Sequence, residues 1–300
     1  MAYVAGDRAN TQRELVWVSR DGTATPVDTS WIARFVGRPA LSPDARRVAI
    51  TVAERAGTGP IWIKELDRGP QAKLEGTGST PTWSPDGRFI AFSSAQGMMR
   101  GPVDGSALPA AYMPNAGPLN TSSLEWSRDG KWLVYARQNQ DLFAVRTDND
   151  TTVHELLATR WVERQPALSP DGRWLAYISD ESGRYEVYVR PFPDTRVTRR
   201  QVSLNGGFAP RWSRNGEELF FTDETQTLFA VPITPGPVFT PGSPRRLFNA
   251  FEFTATAYDV HPDAKRFLMT RAAGASALQR DDLVIVQDFF DELKAKVPRK

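Results

Sequence analysis

"ALSPDGRWLAYISDESGRYEVYVRPFP", residues 167–193, holds the pattern that decides the fold. A tight turn, Ser169-Pro170-Asp171-Gly172, separates two apolar runs. Proline presets φ for the first central position of a type I turn, Asp suits the next, and Gly relaxes the exit. The run after the turn alternates. Trp174, Ala176 and Ile178 face one way, and Leu175 and Tyr177 the other, which is the period of a β-strand. A third strand, "YEVYVRP", follows a polar loop.

The turn occurs six times in all, in "LSPDARRVAI" (from Leu41), "WSPDGRFIAF" (Trp83), "WSRDGKWLVY" (Trp126), "LSPDGRWLAY" (Leu168), "WSRNGEELFF" (Trp212) and "VHPDAKRFLM" (Val260). Its acidic or amide position falls at Asp44, Asp86, Asp129, Asp171, Asn215 and Asp263, with spacings of 42, 43, 42, 44 and 48. Ala45 and Ala264 replace Gly, so those two turns are expected to avoid a positive φ. Each unit adds a third strand, as in "PIWIKEL", "DLFAVRT", "TLFAVPI" and "DLVIVQD", and a short fourth, as in "RRQVSL". A period near 40–45 with four short strands describes propeller blades. One blade cannot bury both its faces, so blades stack and close into a ring, which also removes sheet edges. The expectation is an all-β chain: a β-propeller of four-stranded antiparallel blades spanning residues 1–300 as one domain.

The ends leave the blade number open. "MAYVAG" and "ELVWVSRDGTATPV" read as the second to fourth strands of a partial blade within residues 1–30. The ring is therefore six-bladed with extra strands, or seven-bladed and begun mid-blade, in which case Met1 is an internal start. "DFFDELKAKV" (288–297) reads as a short helix, with Asp288 as N-cap, Asp291 and Glu292 in the first turn, and Lys294 and Lys296 late.

Composition narrows the function classes. The formal net charge is +2, too small and balanced for a chain built to grip nucleic acid. With no cysteine there is no disulfide, thiolate zinc site or thiol catalysis. No signal peptide is visible, and no apolar run approaches the roughly 20 residues that cross a bilayer. The chain as written is expected to be soluble, without direct membrane insertion.

Catalytic motifs are hard to find. "GTGSTP" (76–81) precedes a strand rather than a helix, unlike a phosphate loop. No Gly-x-Ser-x-Gly elbow occurs, and the two histidines, His154 and His261, have no nucleophile at a recognisable spacing. "TDNDT" (147–151) and "SDESG" (179–183) gather oxygen ligands but lack calcium-loop spacing, so they read as solvated turns. Trp83, Trp126 and Trp212 share a slot that Leu41 and Leu168 also fill, which indicates packing between blades. No catalytic residue, metal or cofactor is expected.

The repeated Trp-Ser-Pro-Asp-Gly turn resembles the WD-type repeats of TolB-like propellers over nearly the whole chain. "SDESGRYEVYVRPFP" (179–193), "LVIVQDFFDELKAKVP" (283–298) and "LVWVSRDG" (15–22) resemble the propeller found C-terminal to bacterial membrane-anchored serine/threonine protein kinases. That resemblance implies a sensing or protein-binding portion, extracytoplasmic in a longer membrane-anchored parent. The kinase motifs are absent here. A TolB-like envelope scaffold is the alternative, and a propeller-based hydrolase or lyase a third reading.

A protein or peptide partner would meet the irregular loops opposite the repeated turns, since recognition residues concentrate on loops held by a rigid scaffold. Aromatic residues and Arg, the types enriched at interface hot spots, single out Trp31, Arg34, Phe35, Arg38, Trp161, Arg164, Phe208, Phe251 and Phe253.

Overall fold

A computed structural model describes residues 12–54, 58–66, 69–112, 123–138, 140–148 and 152–274, and all regular structure within them is β. The chain opens with β1 (Arg13–Ser19), β2 (Ala24–Pro26) and the two-residue β3 (Ile32–Ala33). Next come β4 (Phe35–Leu41), β5 (Arg47–Val52), β6 (Gly59–Glu65) and the long β7 (Gln71–Trp83), then β8 (Phe89–Ser94), β9 (Gly97–Pro102) and β10 (Ala110–Ala111). The third group is β11 (Leu124–Trp126), β12 (Trp132–Arg137), β13 (Asp141–Arg146) and β14 (Val153–Leu157). The fourth is β15 (Glu163–Leu168), β16 (Trp174–Ser179), β17 (Glu186–Pro191) and β18 (Arg200–Gln201). After these follow β19 (Phe208–Trp212), β20 (Glu218–Thr222), β21 (Thr227–Thr234), β22 (Thr240–Pro241) and β23 (Arg245–Asn249), and finally β24 (Asp259–Val260) and β25 (Arg266–Ala272).

All pairings are antiparallel; β3 pairs with β1 and β23 with β21 across one short intervening strand, and the rest join chain neighbours, with one distant exception. β7 ends one four-stranded unit with Gln71–Leu74 and begins the next with Ser79–Trp83. The exception closes the molecule. β25 pairs along its whole length with β1, from Arg266 opposite Ser19 to Ala272 opposite Arg13. The last unit is thus β24-β25-β1-β2, built from both ends of the described chain. The position beside β25 that "DLVIVQD" was expected to fill is held by β1, and the inner strand missing from the partial N-terminal blade is β24. Residues 282–288, the "MAYVAG" strand and the 288–297 helix lie outside the described residues.

The strands are buried on both faces because units stack on each side. In β12, Leu133, Val134, Tyr135 and Ala136 are all fully buried. Val134 and Ala136 pack with Leu168, Leu175 and Tyr177 of the following unit, while Leu133 and Tyr135 pack with Ala91 and Met98 of the preceding one. The alternation read in β16 holds in the same way. Leu175 and Tyr177 enter one interface, and Ala176, Ile178 and Trp174 the other. Each large apolar side chain so buried contributes about 1.5–3 kcal/mol.

The repeated turn carries its own hydrogen-bond circuit. Ser84 Oγ donates to Asp86 Oδ1 (2.5 Å) and accepts from the N–H of Phe89 (2.9 Å), while Asp86 Oδ1 accepts from the N–H of Arg88 (3.0 Å). The same three bonds recur at Ser42/Asp44, Ser127/Asp129, Ser169/Asp171 and Ser213/Asn215. In the sixth copy His261 takes the Ser place, with Nδ1 2.9 Å from Asp263 Oδ1. Ala45 and Ala264 adopt φ of 55° and 56°, close to the 68° of Gly87. The expectation that Ala turns avoid this region is therefore wrong: the circuit imposes one backbone shape, and the two alanines accept its strain of about 1–2 kcal/mol.

Candidate functional site: the central channel

The first strands of the units touch in the order β4, β7, β11, β15, β19 and β24, and β24 touches β4. Direct latches tie this inner ring together. Trp83 Nε1 donates to Ala40 O (2.8 Å) and Trp212 Nε1 to Ala167 O (3.1 Å). Asp259 Oδ2 accepts from the N–H of Leu41 (2.8 Å), and the buried Tyr258 hydroxyl donates to Ala209 O (2.8 Å). The inner strands also bulge. Val36 pairs with Thr51 and Ala40 with Ala49, so residues 37–39 face one partner residue. β7, β15 and β19 shift register just before Thr82, Ala167 and Arg211, with Thr80, Gln165 and Ala209 at positive φ ahead of a proline. Such bulges re-aim side chains.

The ring encloses a cavity of about 240 Å³. Equivalent repeat positions form two layers of its wall. One layer is Ala40, Thr82, Glu125, Ala167, Arg211 and Asp259, the residues just before the Leu/Trp/Val slot. The other lies at the turn mouth: Pro43, Pro85, Arg128, Pro170 and Arg214. Arg38, set in the bulge of β4, also reaches the wall, as do Trp83, Trp126 and Trp212.

Charge in the channel is unbalanced, with four arginines against two carboxylates. Both carboxylates are engaged. Glu125 pairs with Arg38 (3.3 Å), and Asp259 holds the Leu41 and Val260 amides. Arg214 donates to the carbonyls of Pro43 and Ser42, and Arg211 to its neighbour Pro210 O (2.7 Å). Arg211 Nε is buried without a hydrogen-bond partner among the described residues. Loss of water around Arg211, reinforced by the Arg38 charge, pushes its guanidinium down to about 10. Arg214 and Arg128 are lowered too, first by desolvation, and Arg128 also by Arg214. All stay protonated near neutral pH, and Glu125 and Asp259 offset their charge only in part, so the channel keeps a net positive field.

A sequence profile of the TolB β-propeller domain matches residues 2–173. The chain belongs to the TolB β-propeller domain family. An uncharacterized peptidase of Bacillus subtilis, YuxL, is 26% identical over 187 residues, 58% of this chain and 27% of that protein. A TolB homolog of Chlorobium luteolum is 26% identical over 154 residues, 47% of this chain and 33% of that protein. The chain thus spans about a third or less of these two relatives. A solved structure assigned as a TolB of Agrobacterium tumefaciens superposes with a TM-score of 0.66 at 18% identity, covering 88% of this chain and 99% of that one. None of these three is named as a kinase.

Within this TolB-type scaffold the residues expected to meet a partner divide. Trp31, Phe35 and Phe253 are buried core side chains: Trp31 and Phe35 pack edge-to-face at 4.7 Å, and Phe253 packs on Phe248. Their rings are taken up by the scaffold, because short loops between stacked units share the interface core. Phe208 is half-buried against Tyr185, and the Arg164 guanidinium lies 4.3 Å from the same ring. Arg34 is half-buried with Nε unpartnered among the described residues. Trp161 is half-buried under Arg160, and Phe251 is 68% exposed. Arg38 alone of the nine lines the channel.

The other candidates for chemistry have structural places. His154 lies edge-on to Trp132, and His261 to Trp17. Asp180 accepts from the Val162 N–H in the turn closed by Gly183, and Glu181 pairs with Arg199. Residues 149–151 of "TDNDT" lie outside the described residues. Residues 76–81 run within β7. Of the three channel arginines that sequence reading passed over, Arg128, Arg211 and Arg214, two were marked all the same. Arg128 and Arg214 stand where four of the six repeats have Pro.

Proposed function

We propose that this chain is the protein-binding propeller of a TolB-like envelope scaffold, and that its described strands make a six-bladed ring closed by β1 on β25. The observation that carries the reading is family membership joined to a rigid ring presenting irregular loops around half-buried Trp161, Arg164 and Phe208 and exposed Phe251. The TolB names among the relatives support a scaffold over the kinase-sensor reading, while YuxL is named a peptidase; the edge-on packing of both histidine rings on tryptophans supports a non-catalytic role. A photo-crosslinking residue at position 251 or 161, placed in the full-length protein in native cells, is expected to yield one adduct of fixed size in the envelope fraction. Absence of any adduct, or recovery of the protein only from the cytosol, overturns it.

A further inference from the structure

We propose that the turn-side mouth of the channel is a binding site for a small anion bearing at least two carboxylate or phosphate groups. The argument starts from the repeat. Pro43, Pro85, Pro170 and Pro262 occupy one turn position, where proline favours the turn. Arg128 and Arg214 forgo that advantage in the third and fifth units. The ring then sets these two arginines on the same mouth, on either side of Pro170, where the Arg214 charge bears on Arg128 and Glu125 and Asp259 offset it in part. Like charges brought together cost energy unless something neutralises them. Among the described residues neither has a carboxylate within ion-pair distance. Arg211, one layer deeper, has none either and keeps a buried Nε unpartnered.

Arginine suits carboxylate and phosphate because its planar fork donates two parallel hydrogen bonds. The nearby Trp126 and Trp212 rings add apolar wall. The cavity measures about 240 Å³. That is room for a molecule of citrate or pyrophosphate size rather than for a folded segment. The site lies on the opposite mouth from Trp161 and Phe251, so it stands independently of the scaffold reading.

Isothermal titration of the protein with citrate, pyrophosphate and inorganic phosphate at low salt tests this. Saturable binding of citrate or pyrophosphate, tighter than that of inorganic phosphate and weakened by added salt, is expected. The tighter of the two names the group recognised. Arg128→Pro with Arg214→Pro installs the residue that four repeats already use, and neither backbone N–H is hydrogen-bonded among the described residues. This pair should weaken binding at least tenfold in a protein that still unfolds cooperatively, at the cost of the Arg214 bonds to the Pro43 and Ser42 carbonyls. Arg128→Gln with Arg214→Gln keeps the chain's own backbone and should weaken binding similarly. Absence of saturable binding in the wild type, or unchanged binding in both folded variants, overturns the proposal.

Discussion

Arg271 Nε donates to Glu14 Oε1 at 2.8 Å, and both side chains are more than nine-tenths buried although 257 residues separate them. They sit opposite each other where β25 pairs with β1, so the strand pairing that joins the two ends of the described chain carries a buried ion pair. At the other end of β1, Arg20 grips Glu218 with two bonds of 2.8 Å and reaches Ala264 O.

Removing one member of this pair strands the other in the core. Glu14→Leu is expected to cost about 3 kcal/mol or more. Glu14→Leu with Arg271→Leu should recover part of the loss, since neither charge is then left alone. Urea denaturation of the two singles and the double reads the coupling. A Glu14→Leu protein within about 0.5 kcal/mol of wild type, the range of ordinary surface changes, would remove the seam's energetic role.

A second buried pair sets the acid limb. Asp28 accepts from the Ser30 hydroxyl (2.6 Å) and amide (2.9 Å) and lies 2.9 Å from Lys64 Nζ. The Ser30 hydroxyl first, then Lys64, hold its carboxyl at about 2, below its ordinary 3.8. A carboxylate lowered by folding contributes stability that is fully present above its unfolded value and lost as pH falls through the folded one. Stability should therefore decline between about pH 4 and pH 2. Asp28→Asn should be less stable at pH 7 and show a shallower acid limb. Melting temperature against pH decides this, and identical limbs would refute it.

Ala45 offers a test of turn strain. Ala→Gly in relaxed backbone costs roughly 0.5–1 kcal/mol. At φ 55° the left-handed penalty is relieved instead. Ala45→Gly and Ala264→Gly should each be neutral or stabilising by up to about 1 kcal/mol in chemical denaturation. A loss of the ordinary size would show that these turns carry no strain.

The Ser-Asp circuit predicts a specific loss. Ser84→Ala removes a hydroxyl that serves both Asp86 and the Phe89 amide, leaving that N–H unsatisfied. A cost of about 1–3 kcal/mol follows. Ser84→Thr keeps the hydroxyl and should lose less; equal losses would mean that volume, not the circuit, matters at this position.

What the sequence alone determined was local. The Ser-x-Asp-Gly turn, the alternation of β16 and the period near 43 depend on contacts within a few residues, and each appears where it was expected. The tertiary structure decided whatever depends on residues far apart in the chain. The first described strand completes a unit with the last because the edge of β25 is open to it. Trp31, Phe35 and Phe253 turn inward because stacked units share one core, which hydrophobicity alone cannot distinguish from a binding surface. Arg128, Arg211 and Arg214 look like unrelated departures from a repeat when read along the chain. Only closure of the ring sets equivalent repeat positions around one axis, where these arginines line one cavity with Glu125 and Asp259.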